Sequence, residues 1–280
     1  MAAVLGTNVA SLWASKNLQS AQSNMANSVE RLSSGLRINR ARDDAAGLGI
    51  ANALTRQINS ADQGVRNLND GISMAQTAEG AIAQASEMAQ RILTLAVQAT
   101  NGSLNTTQKT TINTEMTALI AAIDSITTRT KFSDTSLLNA AAISIYTGSS
   151  STESVTISAT ALATISSGGS ALTLSAAIIA ATSASTSVNY VSISTAASTY
   201  ITALDTQRGE LGAIQNQMEY SVNNIVELSA NLSSARSRVI DTDYATETSQ
   251  LTKGQILQQA ATAMLAQANQ MPNVILSLLK

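Results

Sequence analysis

Apolar residues recur along most of this chain at alternating steps of three and four. The strongest run is Leu54, Ile58, Ala61, Val65, Leu68, Ile72 and Ala75, resumed by Ala78, Ile82, Ala85, Ala89, Ile92, Ala96 and Ala99 after one extra step of three. The alternation puts a single apolar seam on a helix that packs lengthwise on another. The extra step is a stammer, which overwinds such a helix locally. At ~1.5 Å per residue the run predicts a helix of roughly 70 Å, a length that suits a rod. Thr100-Asn101-Gly102-Ser103 ends it, Asn and Gly being residues that close helices. A second helix starts at Thr106 or Thr107 and carries Ile112, Met116, Leu119, Ile120 and Ile123 on one face. It ends near Arg129, folded back antiparallel across a short loop.

From Ala141 the period changes to two. Ile143 and Ile145, then Val155 and Ile157, alternate with polar residues around Tyr146-Thr147-Gly148-Ser149-Ser150, which predicts a β-hairpin. Residues 159–195 are low in complexity. They mix strand-like pairs (Leu172 with Leu174, Val191 with Ile193) with Ala-rich runs around Gly168-Gly169. An exposed tip is the expectation, with disorder the rival reading. Helical spacing returns near Ala196, and Leu211, Ile214, Met218, Val222, Ile225, Leu228, Leu232, Ala235 and Val239 predict a long helix running back along the first.

The two ends repeat the helical pattern with almost no charge. Leu18, Ala21, Met25, Val29, Leu32 and Leu36 mark one seam; Leu257, Ala261, Met264, Ala268, Met271, Ile275 and Leu278 mark the other. Residues 254–279 contain no charged side chain, and residues 1–29 contain only Lys16. Away from the seams stand Gln, Asn, Ser and Thr, where a solvated helix usually carries Lys and Glu. Ordering a residue's backbone costs about 1–2 kcal/mol, while a large apolar side chain returns about 1.5–3 kcal/mol on full burial. Several seam positions are only Ala, so a tail docked along one seam is marginal alone. Each end by itself reads as an ordinary terminal helix of a bundle. Two matched, charge-poor ends favour packing between copies of the chain, with Leu18, Met25, Val29, Leu32, Leu36, Leu257, Met264, Met271, Ile275 and Leu278 as the inter-subunit core.

Composition supports a mainly α fold. The apolar fraction is 44%, but it is dominated by Ala, with one Phe, one Trp and five Tyr. Big side chains fill a thick globular core, whereas Ala lets long helices lie close. The single proline, Pro272, leaves the helices uninterrupted. A net charge of −2 with few aromatics argues against nucleic-acid binding. The charge-free C-terminal run is broken by Gln, Asn, Thr and Pro, unlike a membrane span. Met1 to Ala14 lacks the basic leader and apolar run of a secretory signal. With no Cys and no His, the chain lacks disulfides and the commonest metal ligand and acid–base group. No catalytic or cofactor constellation stands out, and Asp241-Thr242-Asp243 lacks the further ligands of a metal site.

The segment Arg31-Leu32-Ser33-Ser34-Gly35-Leu36-Arg37-Ile38-Asn39-Arg40-Ala41-Arg42-Asp43-Asp44-Ala45-Ala46-Gly47 closely resembles the N-terminal signature of bacterial flagellins. Gln90-Arg91-Ile92, Leu95 to Gly102, Leu211 to Asn216, Asp241 to Glu247 and Val274 to Lys280 are similar to later flagellin motifs, in the same order. The resemblance spans about residues 1–140 and 200–280. It implies a subunit of the flagellar filament, with 1–43 and 240–280 as a terminal helical inner-core domain. Residues 44–140 and 196–239 form a helical rod, and 141–195 a hairpin with a reduced variable surface region. The implied fold is an elongated rod of long antiparallel coiled-coil-like helices built by both chain ends, with a small tip from the middle. The rival roles are a hook–filament junction protein and an exported adhesin or effector.

The family role further implies export in an unfolded state by a type III route and folding at the filament tip. A chaperone, a filament cap and hook-junction proteins are implied as partners, with the filament outside the cell. Arg31, Arg37, Arg40, Arg42, Asp43 and Asp44 form the densest charged cluster, where the tail meets the rod. They read either as a solvated linker or as ion pairs within and between subunits. Arg91, Leu95 and Glu115 match a rod surface that, in some flagellins, an animal Toll-like receptor recognises; Arg91 and Glu115 also suit a pair between two helices. Leu276, Leu278 and Leu279 resemble leucines sensed by cytosolic receptors of the host. The Ser/Thr-rich stretch 147–199 suits either a surface loop or O-glycosylation.

Overall fold

A computed structural model describes residues 7–138, 142–148, 152–158 and 187–278, with side-chain surroundings for all of these except 187–189 and 271–278. Five helices carry most of the described chain: α1 (Val9–Ser34), α2 (Ala45–Ala99), α3 (Thr106–Arg129), α4 (Ser187–Ile240) and α5 (Tyr244–Leu278). Two small antiparallel hairpins lie between α3 and α4 in sequence. They are β1 (Lys131–Phe132) with β2 (Thr135–Ser136), and β3 (Ile143–Tyr146) with β4 (Ser154–Ile157). The chain divides into two compact units, residues 1–56 with 231–280, and residues 57–230.

The core belongs to the second unit. The seam of α2 is buried at Ala61, Leu68, Ala75, Ala78, Ile82, Ala85, Ala89, Ile92, Ala96 and Ala99, on both sides of the stammer. Ile112, Met116, Ile120 and Ile123 meet it from α3, and Tyr190, Ile193, Tyr200, Leu211 and Met218 from α4. Antiparallel pairing follows from the cross-links: Arg91 reaches Glu115 between α2 and α3, and Gln215 donates to Glu79 while Ser229 donates to Asp62 between α4 and α2. A buried hydrogen bond of 3.0 Å from Asn113 Nδ2 to the Tyr190 hydroxyl ties α3 to α4.

Three local outcomes differ from the sequence reading. The cap of α3 is Asn105, not Thr106 or Thr107. Its side chain accepts from the Gln108 backbone, and Gln108 accepts from Asn105 in a reciprocal capping box. The start of α4 is Ser187, so Val191 and Ile193 are helical rather than strand-like; Leu172 and Leu174 lie outside the described residues. The β1–β2 hairpin was not foreseen. Ser133 and Asp134 both have positive φ (47° and 66°), the geometry of a tight two-residue hairpin turn. The turn delivers Leu137 and Leu138 fully into the core.

The β3–β4 hairpin has the expected strands, with Ile145 opposite Val155. It lies against α2. Asn67 Nδ2 donates to the Tyr146 carbonyl at 2.9 Å, and a Cβ at Gly64 would collide with the Thr147 carbonyl. Close backbone approach is what glycine permits here.

Candidate assembly surfaces

In the first unit α1 and α5 pair antiparallel. Asn8 Nδ2 donates to the Ala268 carbonyl at 2.7 Å, Ser11 Oγ to Asn269 at 3.0 Å, and Met25 packs against Gly254. On α1 the contact row is Leu18, Ala21, Met25, Ser28 and Leu32, buried at Ala21 and Ser28 and half-buried at the others. Val29, which the sequence places in the inter-subunit core, stands outside this row and is 49% exposed. On α5 the row is Leu251, Gly254, Gln258, Ala261, Leu265 and Ala268. The expected seam shares only Ala261 and Ala268 with it. Leu257 and Met264 stand beside the row, 48% and 64% exposed. The close approach is made at Gly254, with Ala261 and Ala268 in the same row, while Leu257 and Met264 stand outside it. Met271, Ile275 and Leu278 have side chains outside the described set, and Leu36 is half-buried next to the α1 cap.

These outlying side chains edge a groove of about 730 Å³ along the pair, lined by Val9, Trp13, Asn17 and Ala21 from α1 and by Leu257 and Met264 from α5. Trp13 is 60% exposed, with the Lys16 ammonium 5.4 Å from its ring. An uncovered apolar groove of this kind marks an interaction surface.

The charged cluster is a built joint. Gly35, at φ +71°, closes α1, and Leu36 bridges to Asp241. The Arg37 backbone N–H donates to the Ile240 carbonyl at 2.6 Å, and Thr242 returns a bond to the Gly35 carbonyl at 2.9 Å. Arg40 pairs with Glu30 at 2.8 Å, Arg31 with the buried Glu247 at 3.7 Å, and Arg42 with Asp43 at 3.7 Å. Arg37 and Asp44 join no ion pair among the described residues. The Arg37 guanidinium donates to the Val239 carbonyl, and Asp44 caps α2 by accepting from the Gly47 N–H at 2.8 Å. The backbone N–H of Arg40, helped by that of Asn39 and by the charges of Arg42 and Arg31, holds the Asp43 carboxyl below its ordinary range. Asp243 is lowered likewise, by the Thr246 hydroxyl and backbone and the Ala245 N–H, where it caps α5. The sequence reading missed Glu30 and Glu247. Glu30 directly precedes Arg31 in the sequence, but Glu247 is brought to the cluster only by the fold.

In the second unit Arg91 grips Glu115 with Nε at 2.9 Å and Nη2 at 2.7 Å, both side chains exposed. Leu95 does not share that surface. It is 2% exposed and belongs to the core, because it sits one position from the buried Ala96 on the inner face of α2. Among the described residues no group of acidic side chains could hold a metal ion, and no helix is long and apolar enough to cross a membrane.

Long antiparallel helices contributed by both chain ends, with an open apolar groove between the terminal pair, define a helical structural subunit of the filament-forming kind. Residues 5–142 match the bacterial flagellin N-terminal helical region, and residues 194–279 match the C-terminal helical region. The chain is 36% identical to a flagellin of Bacillus subtilis over 301 positions, covering 98% of each. It is 36% identical to a flagellin of Halalkalibacterium halodurans over 279 positions, covering 99% of this chain and all of that one. Flagellin B of Vibrio cholerae is 32% identical over 375 positions, with both chains covered in full. The chain belongs to the bacterial flagellins. It is a structural subunit that polymerises with its own kind into the flagellar filament, outside the cell. The Vibrio alignment is longer than this 280-residue chain, in keeping with a reduced middle region.

Proposed function

We propose that the terminal pair, within residues 1–43 and 240–280, forms the inner core of the filament, and that neighbouring copies cover its groove. The observation that carries this is the outward position of Trp13, Leu257 and Met264 on helices that have almost no charge. Val29 joins them as an outward apolar group, whereas Leu18, Met25 and Leu32 serve the pairing of α1 with α5. Residues 44–140 and 196–239 supply the surrounding rod layer, and 141–195 the outer surface. Each large apolar side chain covered by a neighbour contributes about 1.5–3 kcal/mol, which offsets the ordering cost of the terminal helices.

Folding at the filament tip after unfolded export follows the same logic. A chain without Cys or His passes without disulfides or strong metal traps, and the termini order only where copies meet. A chaperone that shields the apolar termini, a cap that retains arriving subunits and junction proteins at the base fit that route. For host recognition, the exposed Arg91–Glu115 pair is an available patch and Leu95 is not, so a Toll-like receptor would read the pair and its exposed neighbours.

The test is seeded growth of heat-dissociated filaments, watched by electron microscopy. Leu257→Gln keeps a side chain of similar bulk but makes it polar, and is expected to stop elongation while leaving the fold of residues 57–230 intact by circular dichroism. Normal elongation of that variant would overturn the proposal.

A further inference from the structure

The groove between α1 and α5 carries one thioether at its edge, that of Met264. The chain has eight methionines. Six have described side chains. Met116 and Met218 are sealed in the core of the second unit, Met74 is buried, and Met25 and Met88 are half-buried. Met264 is the exposed one of the six. Access to solvent decides which thioether meets a dissolved oxidant, and the chain has no cysteine to compete for it.

We propose that Met264 is a peroxide-sensitive modification site that turns the groove off for assembly; this rests on the reading that neighbouring copies cover the groove. The sulfur lone pair attacks one oxygen of hydrogen peroxide, the O–O bond breaks and an S–O bond forms. The departing hydroxide takes up the remaining peroxide proton and leaves as water. Sulfur loses two electrons and the peroxide gains them. The product is a polar, chiral sulfoxide in place of a flexible apolar side chain, a change that disrupts methionine-bearing interfaces. On the α5 side of the groove Leu257, Ala260 and Ala261 offer no side-chain donor to the new oxygen, and the donors of the groove lie on α1, at Trp13, Asn17, Ser20 and Asn24. A sulfoxide here replaces an apolar edge of the groove with a polar one, and burying it under an apolar neighbour costs free energy unless it reaches one of those donors. A copy already in a filament is shielded, so the switch acts on free subunits, and reduction by methionine sulfoxide reductases resets it.

The experiment treats purified monomer and intact filaments with hydrogen peroxide, maps sulfoxides by peptide mass spectrometry, and measures seeded growth. Position 264 is expected to oxidise before Met25, Met74, Met88, Met116 and Met218 in the monomer and to be several-fold slower in filaments, with growth lost in proportion to its sulfoxide and restored by the reductases. Met264→Leu is expected to grow normally and to keep growing after peroxide. Growth of Met264→Leu that falls as far as the wild type's, or earlier oxidation at any of those five, overturns the inference. Met264→Gln, without oxidant, separates the two claims. Its failure to grow supports the groove as a contact whatever peroxide does, and its normal growth removes the groove reading itself.

Discussion

Single residues show where the structure has no slack. Gly64 lets the Thr147 carbonyl lie against α2, and the neighbouring Asn67 bonds the carbonyl of Tyr146. Gly64→Ala is expected to push the β3–β4 hairpin off the helix. The cost should be about 1–3 kcal/mol, the usual range for overpacking, read as a lower denaturation midpoint; Gly80→Ala, where nothing lies within 4 Å, should be neutral or slightly stabilising. Asn113 and Tyr190 make the buried polar contact between α3 and α4. Tyr190→Phe should cost about 1–3 kcal/mol, because it leaves the Asn113 amide unpaired; a double variant with Asn113→Leu that recovers part of the loss in chemical denaturation would confirm the pairing. Neither pair was legible in the sequence. A glycine in a helical run looks like a weak point until the strand above it is known, and Asn113 and Tyr190 are 77 positions apart.

At the scale of elements, legibility followed contrast. The run in α2 sets Ile and Leu against polar residues, so its phase was unambiguous, and the structure buries that row. In α5 Ala, Gln and Met alternate with little contrast, and two neighbouring rows satisfy the same spacing. The row that meets α1 is the one that carries Gly254, where Met25 lies at close range. The β1–β2 hairpin was hidden because two-residue strands have no period to read. Capping is better determined. Asp43 and Asp243 hold the turns at the starts of α2 and α5, and both are more acidic folded than unfolded. Such groups stabilise above the unfolded carboxylate pKa, and the contribution is lost as pH falls through the lower folded value. Acidification below the ordinary carboxylate range is therefore expected to loosen the joint and the α5 cap. Asp243→Asn, which still caps but does not titrate, should flatten that acid transition in amide exchange at residues 244–248.

The whole molecule divides its stability unequally. Every member of the main buried apolar cluster lies within residues 57–230. Among its described apolar side chains, the unit formed by residues 1–56 and 231–280 buries only Ala21, Ile38, Ala51 and Ala268 to a comparable degree, and leaves Val9, Leu12, Trp13, Ile256, Leu257 and Met264 in solvent. Alanine burial returns little per residue, while backbone ordering costs about 1–2 kcal/mol at every position of two long helices. The terminal pair should therefore open far more readily than the core, as weakly packed segments do. Amide exchange on the free subunit is expected to show strong protection across α3 and residues 61–99 and 190–225, and rapid exchange across residues 9–30 and 250–270. In filaments the terminal segments should become protected by orders of magnitude, and the lone Trp13 should shift to a bluer emission as its groove is covered. Equal protection of both segments in the solitary subunit would mean that the chain supplies its own partners for these helices, and the groove would then have no ordering role left to play in assembly.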